Sequence, residues 1–142
     1  MIIVDTNVLS ELMRSEPSPR VRTRVDRQRS EQLWTTSITA MELYQGVARL
    51  GDSERKNRLI AAIYTMLNED FAQRIASFDL EAALATASVA AERLKIGRPI
   101  EIRDTQIAGI AFSRNASIAT RNVRHFSGLP IELINPWDFT GG

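Results

Sequence analysis

Three carboxylates in this sequence occupy positions that ask for a reason. Asp5 ends the apolar run Ile2-Ile3-Val4 in MIIVDTNVLSELMR, and Glu42 lies in TTSITAMELYQGV with Ile38 one turn before it and Gly46 one turn after. Asp104 shares a helical face with Ile107, Ala108 and Ala111, at i+3, i+4 and i+7. A carboxylate beside apolar neighbours is partly dehydrated, which costs free energy unless a donor or a cation compensates. Each acid has a local explanation: Asp5 as a helix cap, Asp104 as a first-turn cap, Glu42 as a surface glutamate. Taken together they point to shared chemistry. If folding gathers them, their repulsion raises their pKa values unless a divalent cation bridges them, and oxygen-only donors select a hard ion, Mg²⁺, with Mn²⁺ able to substitute. Such an ion can lower the pKa of a water and offset charge on a phosphodiester. Gly46 costs a helix interior about 1 kcal/mol relative to alanine, which predicts close approach of a ligand or a neighbouring helix beside Glu42.

Placing these acids requires particular elements. Ile2 to Val4 reads as a buried strand, followed by a helix on Val8, Leu9, Leu12 and Met13; Ser15 to Pro19 breaks the pattern, and Val21 with Val25 begins a second helix. Leu33 to Thr36 predicts a second strand, with Ser37 as N-cap of a helix to about Leu50 that Gly51 ends. A further helix runs from Glu54 to about Leu67, a strand spans Arg74 to Phe78, and Asp79 caps an alanine-rich helix to Lys95 that Gly97 and Pro99 stop. Helical spacing returns from Ile102 to Ser113, with short strands at 117–120 and 131–134. Strands alternating with helices predict a parallel sheet of about five strands with helices on both faces, a three-layer α/β sandwich. In such a sheet ligands collect at the carboxyl ends of the strands, where strand order reverses, and Asp5 ends a strand.

Composition narrows the chemistry further. The 142 residues suit one domain, and the lack of cysteine excludes disulfides, zinc-thiolate sites and thiol nucleophiles. A net charge of +1 argues neither for nor against nucleic acid, but arginines concentrate between residues 14 and 29 and again between 98 and 124. The apolar start is too short and lacks the basic leader of a signal peptide, and no stretch suits a membrane span, so a cytoplasmic protein is expected.

The blocks IIVDTNVLSE, ITAMELYQG, IRDTQIAGIA and ATRNVRHFSGLPIELINPW occur in that order from Met1 to about Phe139. In this combination the chain resembles the PIN-domain ribonucleases and, more narrowly, the VapC or FitB-like toxins of bacterial type II toxin–antitoxin modules. The resemblance implies a PIN-like sandwich as a single domain over residues 1–142. It implies a metal-dependent endoribonuclease with a catalytic cluster of Asp5, Glu42 and Asp104, the metal held by these three, and a fourth position at Asn122, where the family commonly has an acid. A neutral Asn122 favours one metal over two. Thr6, Asn7 and Thr120 match positions that support the site, and Arg121 and Arg124 are expected to bind RNA phosphates. His125, the single histidine, is read as a packing or surface residue. Implied partners are an RNA substrate, an antitoxin protein covering the acids, and a second copy of the chain, with Leu59, Ile63 and Leu67 marking a candidate dimer surface. Two other classes compete. An aspartyl-nucleophile phosphohydrolase would also place an aspartate after the first strand, but Asn7 stands where its second aspartate belongs and no lysine lies near Asp104. A catalytically inactive PIN-fold binding module would account for Asn122.

Overall fold

A computed structural model describes residues 1–138; the last four residues of the expected domain, Phe139 among them, lie outside the described residues. Five strands form one sheet: β1 (Ile2–Val4), β2 (Leu33–Thr36), β3 (Ile75–Ala76), β4 (Ser117–Ala119) and β5 (Leu133–Ile134), in the order β3-β2-β1-β4-β5. Every adjacent pair is parallel. The chain builds outward from β1 through β2 to β3 and then returns to lay β4 on the other flank of β1, so strand order reverses between β1 and β4.

Among the described residues seven helices cover the sheet: α1 (Thr6–Leu12), α2 (Pro19–Asp26), α3 (Ser37–Ala48), α4 (Glu54–Thr65), α5 (Leu80–Lys95), α6 (Ile102–Ser113) and the short α7 (Val123–Phe126). Because successive side chains of a strand face opposite sides, consecutive residues of β1 feed two different cores. Ile3 enters a cluster with Ile107, Ile110, Ile118 and Phe126, whereas Val4 enters one with Val8, Leu9, Val21, Ile63 and Phe71. The expected three-layer arrangement follows from that division. α6 is pressed against α5 at Gly109, where an added Cβ would lie 1.9 Å from Thr86 Oγ1 and 2.8 Å from the Thr86 amide nitrogen. Only a residue without a Cβ permits this approach, and it fixes the helix that bears Asp104.

Several local expectations are corrected. The edge strands β3 and β5 are two residues each, shorter than the spans predicted at 74–78 and 131–134, since each pairs along one side only. Thr36, not Ser37, caps α3: its Oγ1 accepts from the Thr39 amide at 3.0 Å, while Ser37 Oγ accepts from the Phe78 amide at 3.0 Å and ties α3 to the exit of β3. α4 passes into a wide π turn at Met66–Asp70. Ile63 and Leu67 are buried, and Leu59 packs against the same cluster, so these three residues contribute to the core. No helix among the described residues is long and apolar enough to cross a membrane.

Candidate active site

β1 delivers Asp5 to the point where strand order reverses, and its amide donates to the Ala119 carbonyl at the end of β4 (2.9 Å). The side chain is 3 % exposed. Oδ1 accepts from the Thr6 amide at 2.8 Å, making Asp5 the N-cap of α1; Oδ2 accepts from Thr120 Oγ1 at 2.8 Å and Asn7 Nδ2 at 3.2 Å. Burial pushes its carboxyl up to about 6; the bonds from Thr120 and Thr6 oppose that rise, and the charges of Asp104 and Glu42 add to it. Capping and burial are therefore both true of this residue. Acids 37 and 99 residues further along the chain act on this one carboxylate.

Glu42 projects from α3, half-buried, with Oε1 accepting from Thr6 Oγ1 at 2.8 Å. Thr39 Oγ1 lies 3.1 Å from the same hydroxyl. Thr6 has one proton to give, which belongs with the carboxylate, so Thr39 donates to Thr6 in turn. The expected close approach at Gly46 is not found: an added Cβ would meet nothing within 4 Å. Gly46 instead borders an open groove of about 670 Å³ lined by Thr6, Glu42, Arg14, Arg55 and Arg58. A second groove, about 780 Å³, runs between α1, α2 and α4 and holds none of the three acids.

Asp104 sits in the first turn of α6 but does not cap it. Glu101 does, with Oε2 accepting from the Arg103 amide at 2.9 Å and the Asp104 amide at 3.3 Å. The Asp104 carboxylate is thereby left to tertiary partners, and its Oδ2 stands 2.7 Å from His125 Nδ1. His125, read from sequence as packing or surface, is half-exposed but is engaged with a site acid. Its signal was faint: a lone histidine beside Phe126, which is fully buried and anchors α7. Arg103 Nη1 donates to Gln45 Oε1 at 3.2 Å, joining α6 to α3 across the mouth of the site.

The remaining expected residues divide. Asn7 is a cross-link, donating to Asp5 and, at 3.3 Å, to Thr120 Oγ1, while its Oδ1 accepts from the Arg121 amide at 3.1 Å. Thr120 is fully buried and also accepts from the Asn122 amide at 3.0 Å. The Asn122 side chain is exposed at the start of α7 and makes no capping bond there. The Arg121 guanidinium lies over the Trp137 ring, 4.9 Å from its centroid, and Arg124 is exposed on α7.

Among the described residues, no three acidic or histidine side chains stand close enough, as they lie, to enclose a metal ion. Mg²⁺ does not require enclosure, since it keeps several waters and is commonly held by one or two carboxylates. The donors facing one another are oxygens of like charge, and a dication would offset both the burial of the Asp5 charge, the main cause of its raised pKa, and the smaller repulsion from Asp104 and Glu42. Asp104 Oδ1 accepts no hydrogen bond from the described residues, so one oxygen of that carboxylate is available. The residues fit a hard ion in kind.

A family model described as "PIN domain" matches residues 2–130. The plasmid stability protein StbB of Pseudomonas syringae pv. tomato is 36% identical over 138 residues, covering 97% of this chain and 99% of that protein. The VapC ribonuclease Y4jK of Sinorhizobium fredii is 34% identical over 142 residues, with 97% and 99% covered. Among solved structures, FitAcB from Neisseria gonorrhoeae superposes with a TM-score of 0.90 at 33% identity, covering 97% of this chain and 99% of that one. DNA-bound VapBC from Salmonella typhimurium gives 0.78 at 29% identity, with 95% and 97% covered.

Proposed function

The chain belongs to the PIN-domain family, within it to the VapC and FitB group, and from that premise we propose that it is a Mg²⁺-dependent endoribonuclease acting as the toxin of a type II toxin–antitoxin module. The observation that carries the reading is Asp5: a buried carboxylate at the strand-order reversal, pushed up to about 6 with two further acids contributing. A purely structural cap has no use for those neighbours. Relatives named as ribonucleases and as tRNA(fMet)-specific endonucleases support the nuclease assignment.

Asp5 and Asp104 would hold the ion, with Glu42 reaching it directly or through water. An Mg²⁺ or Mn²⁺ ion held there would supply Lewis-acid activation of water and offset charge on an RNA phosphate. Thr120, Thr6 and Asn7 keep the Asp5 oxygens aimed by the bonds already described. Thr6 does the same for Glu42. Asn122 supplies a neutral amide where an acid would add charge, which suits a single ion. The groove beside Glu42 supplies Arg14, Arg55 and Arg58 for flanking phosphates, a role for which Arg124 is placed and Arg121, stacked on Trp137, is less so. The solved FitAB and VapBC complexes support an antitoxin partner, which the acidic cluster would engage through a basic side chain. Self-association is proposed from the same group.

The experiment is RNA cleavage by purified protein with Mg²⁺, with EDTA, and with Asp5→Asn or Asp104→Asn. Cleavage is expected only with the divalent ion, to leave 5′-phosphate ends, and to stop in both variants while their circular dichroism is unchanged. Products ending in 2′,3′-cyclic phosphate, or wild-type rates from Asp5→Asn, would refute the scheme. A trapped phosphoryl-enzyme would favour the aspartyl-nucleophile class instead.

A further inference from the structure

We propose that His125 is the positioning residue of Asp104: its Nδ1–H grips Oδ2 of that carboxylate and thereby presents Oδ1 to the metal, an inference that rests on the nuclease reading above. Three observations converge on it. Glu101 satisfies the first-turn amides of α6, which removes the local partners Asp104 would otherwise use. Among the described residues, the one hydrogen bond on the Asp104 carboxylate is then the 2.7 Å contact to His125 Nδ1. That distance is short for N–H···O and typical of a bond in which one partner is charged.

The second line is positional. Residues 120–126 carry a donor for each of two acids: Thr120 Oγ1 binds Asp5 Oδ2 at 2.8 Å, and His125 Nδ1 binds Asp104 Oδ2. The segment between is stiff. Asn122 donates its amide to Thr120 Oγ1, the His125 amide donates to the Asn122 carbonyl at 2.9 Å, and Phe126 is fully buried. One short stretch therefore sets the spacing between the two carboxylates that would share the ion. Bonds of this kind to ligating groups fix their orientation and tune the metal's affinity.

The third is chemical. His125 is half-exposed and packs little, so its placement is not explained by burial. Both the Nδ1–H tautomer and the imidazolium donate from Nδ1, so the grip does not depend on the ring's charge. Position 122 carries a neutral asparagine, and the donor to Asp104 comes three residues later, from His125.

Because His125 is the single histidine, its ring nitrogens are assigned without ambiguity in a ¹⁵N-edited spectrum of the metal-free protein. The expected signature is a protonated Nδ1 that changes in Asp104→Asn; an Nε2–H tautomer indifferent to Asp104→Asn would overturn the proposal whether or not metal binds. Mn²⁺ affinity, read by electron paramagnetic resonance, is expected to weaken about 10- to 100-fold in His125→Ala. It is expected to recover to within about threefold of wild type in His125→Asn, whose amide nitrogen takes the place of Nδ1 but not of Nε2. Unchanged affinity in His125→Ala, or no recovery in His125→Asn, overturns the proposal. A wild-type protein that binds no Mn²⁺ sinks the nuclease reading itself, and the tautomer then decides His125 alone.

Discussion

Replacing Asp5 by asparagine is expected to stabilise the metal-free protein at neutral pH while abolishing its chemistry. The carboxyl titrates at about 6 in the fold against 3.8 in an unperturbed chain, chiefly because burial disfavours its charge. Carrying the charge in the folded state therefore costs about 3 kcal/mol at pH 7. The amide does not recover all of it, because Asn7 Nδ2 and the Thr120 hydroxyl both donate to Oδ2 and an amide nitrogen there forces one to turn. Subtracting about 1 kcal/mol for that mismatch leaves a gain of about 2 kcal/mol. For a chain of this length that is about 6 °C in Tm. The sign follows from protons bound: a carboxyl with a raised folded pKa holds its proton in the fold where the unfolded chain has lost it. Stability from that proton is complete below pH 3.8 and is lost as pH rises through about 6. The gap between Asp5→Asn and wild type should accordingly be near its full size at pH 7.5 and close to nothing at pH 4.5. Thermal melts in EDTA at the two pH values measure it. A variant less stable than wild type at pH 7.5, or a gap of equal size at both, refutes the claim that the site stores electrostatic strain.

Mg²⁺ at about 10 mM is expected to raise the wild-type Tm and to leave Asp5→Asn unmoved; equal shifts in both would place the ion elsewhere. Thr120→Val removes a bond that lowers the Asp5 pKa, so it should destabilise the metal-free protein by about 1 kcal/mol, more at pH 7.5 than at pH 4.5, as urea titrations at the two values will show. Gly109→Ala should cost about 3 kcal/mol in the same assay, since its methyl group collides with both the side chain and the backbone of Thr86; a neutral result would mean α5 and α6 can part cheaply. Gly46→Ala should gain about 1 kcal/mol, because the position is helical and a methyl group there meets open space.

What could be read in advance was what depends on neighbours along the chain. The apolar triplet before Asp5, the caps at Asp79 and Thr36 to within one residue, and the parallel order implied by alternating strands and helices all rest on local pattern plus the crossover rule. Asp104 was marked by its apolar helical face, and Glu101 now accounts for why it does not cap. From sequence His125 reads as a packing or surface residue because its partner lies 21 residues upstream and nothing beside it distinguishes a held imidazole from a solvated one. Gly46 was misread for the converse reason: glycine announces permission, and whether anything uses the space depends on helices packed far away in sequence. The extra length expected of β3 and β5 rested on alternation that continues beyond the point where a neighbouring strand is present to pair with it.

The strand order has a consequence for how the protein comes into being. β1 and α3 carry Asp5 and Glu42, yet β4, which flanks β1 and leads into Thr120, is synthesised only after α5 and α6. A nascent polypeptide whose first hundred residues have left the ribosome has neither Asp104 nor the segment that clamps both aspartates. The three acids and their clamps therefore cannot come together until the stretch through residue 125 has emerged.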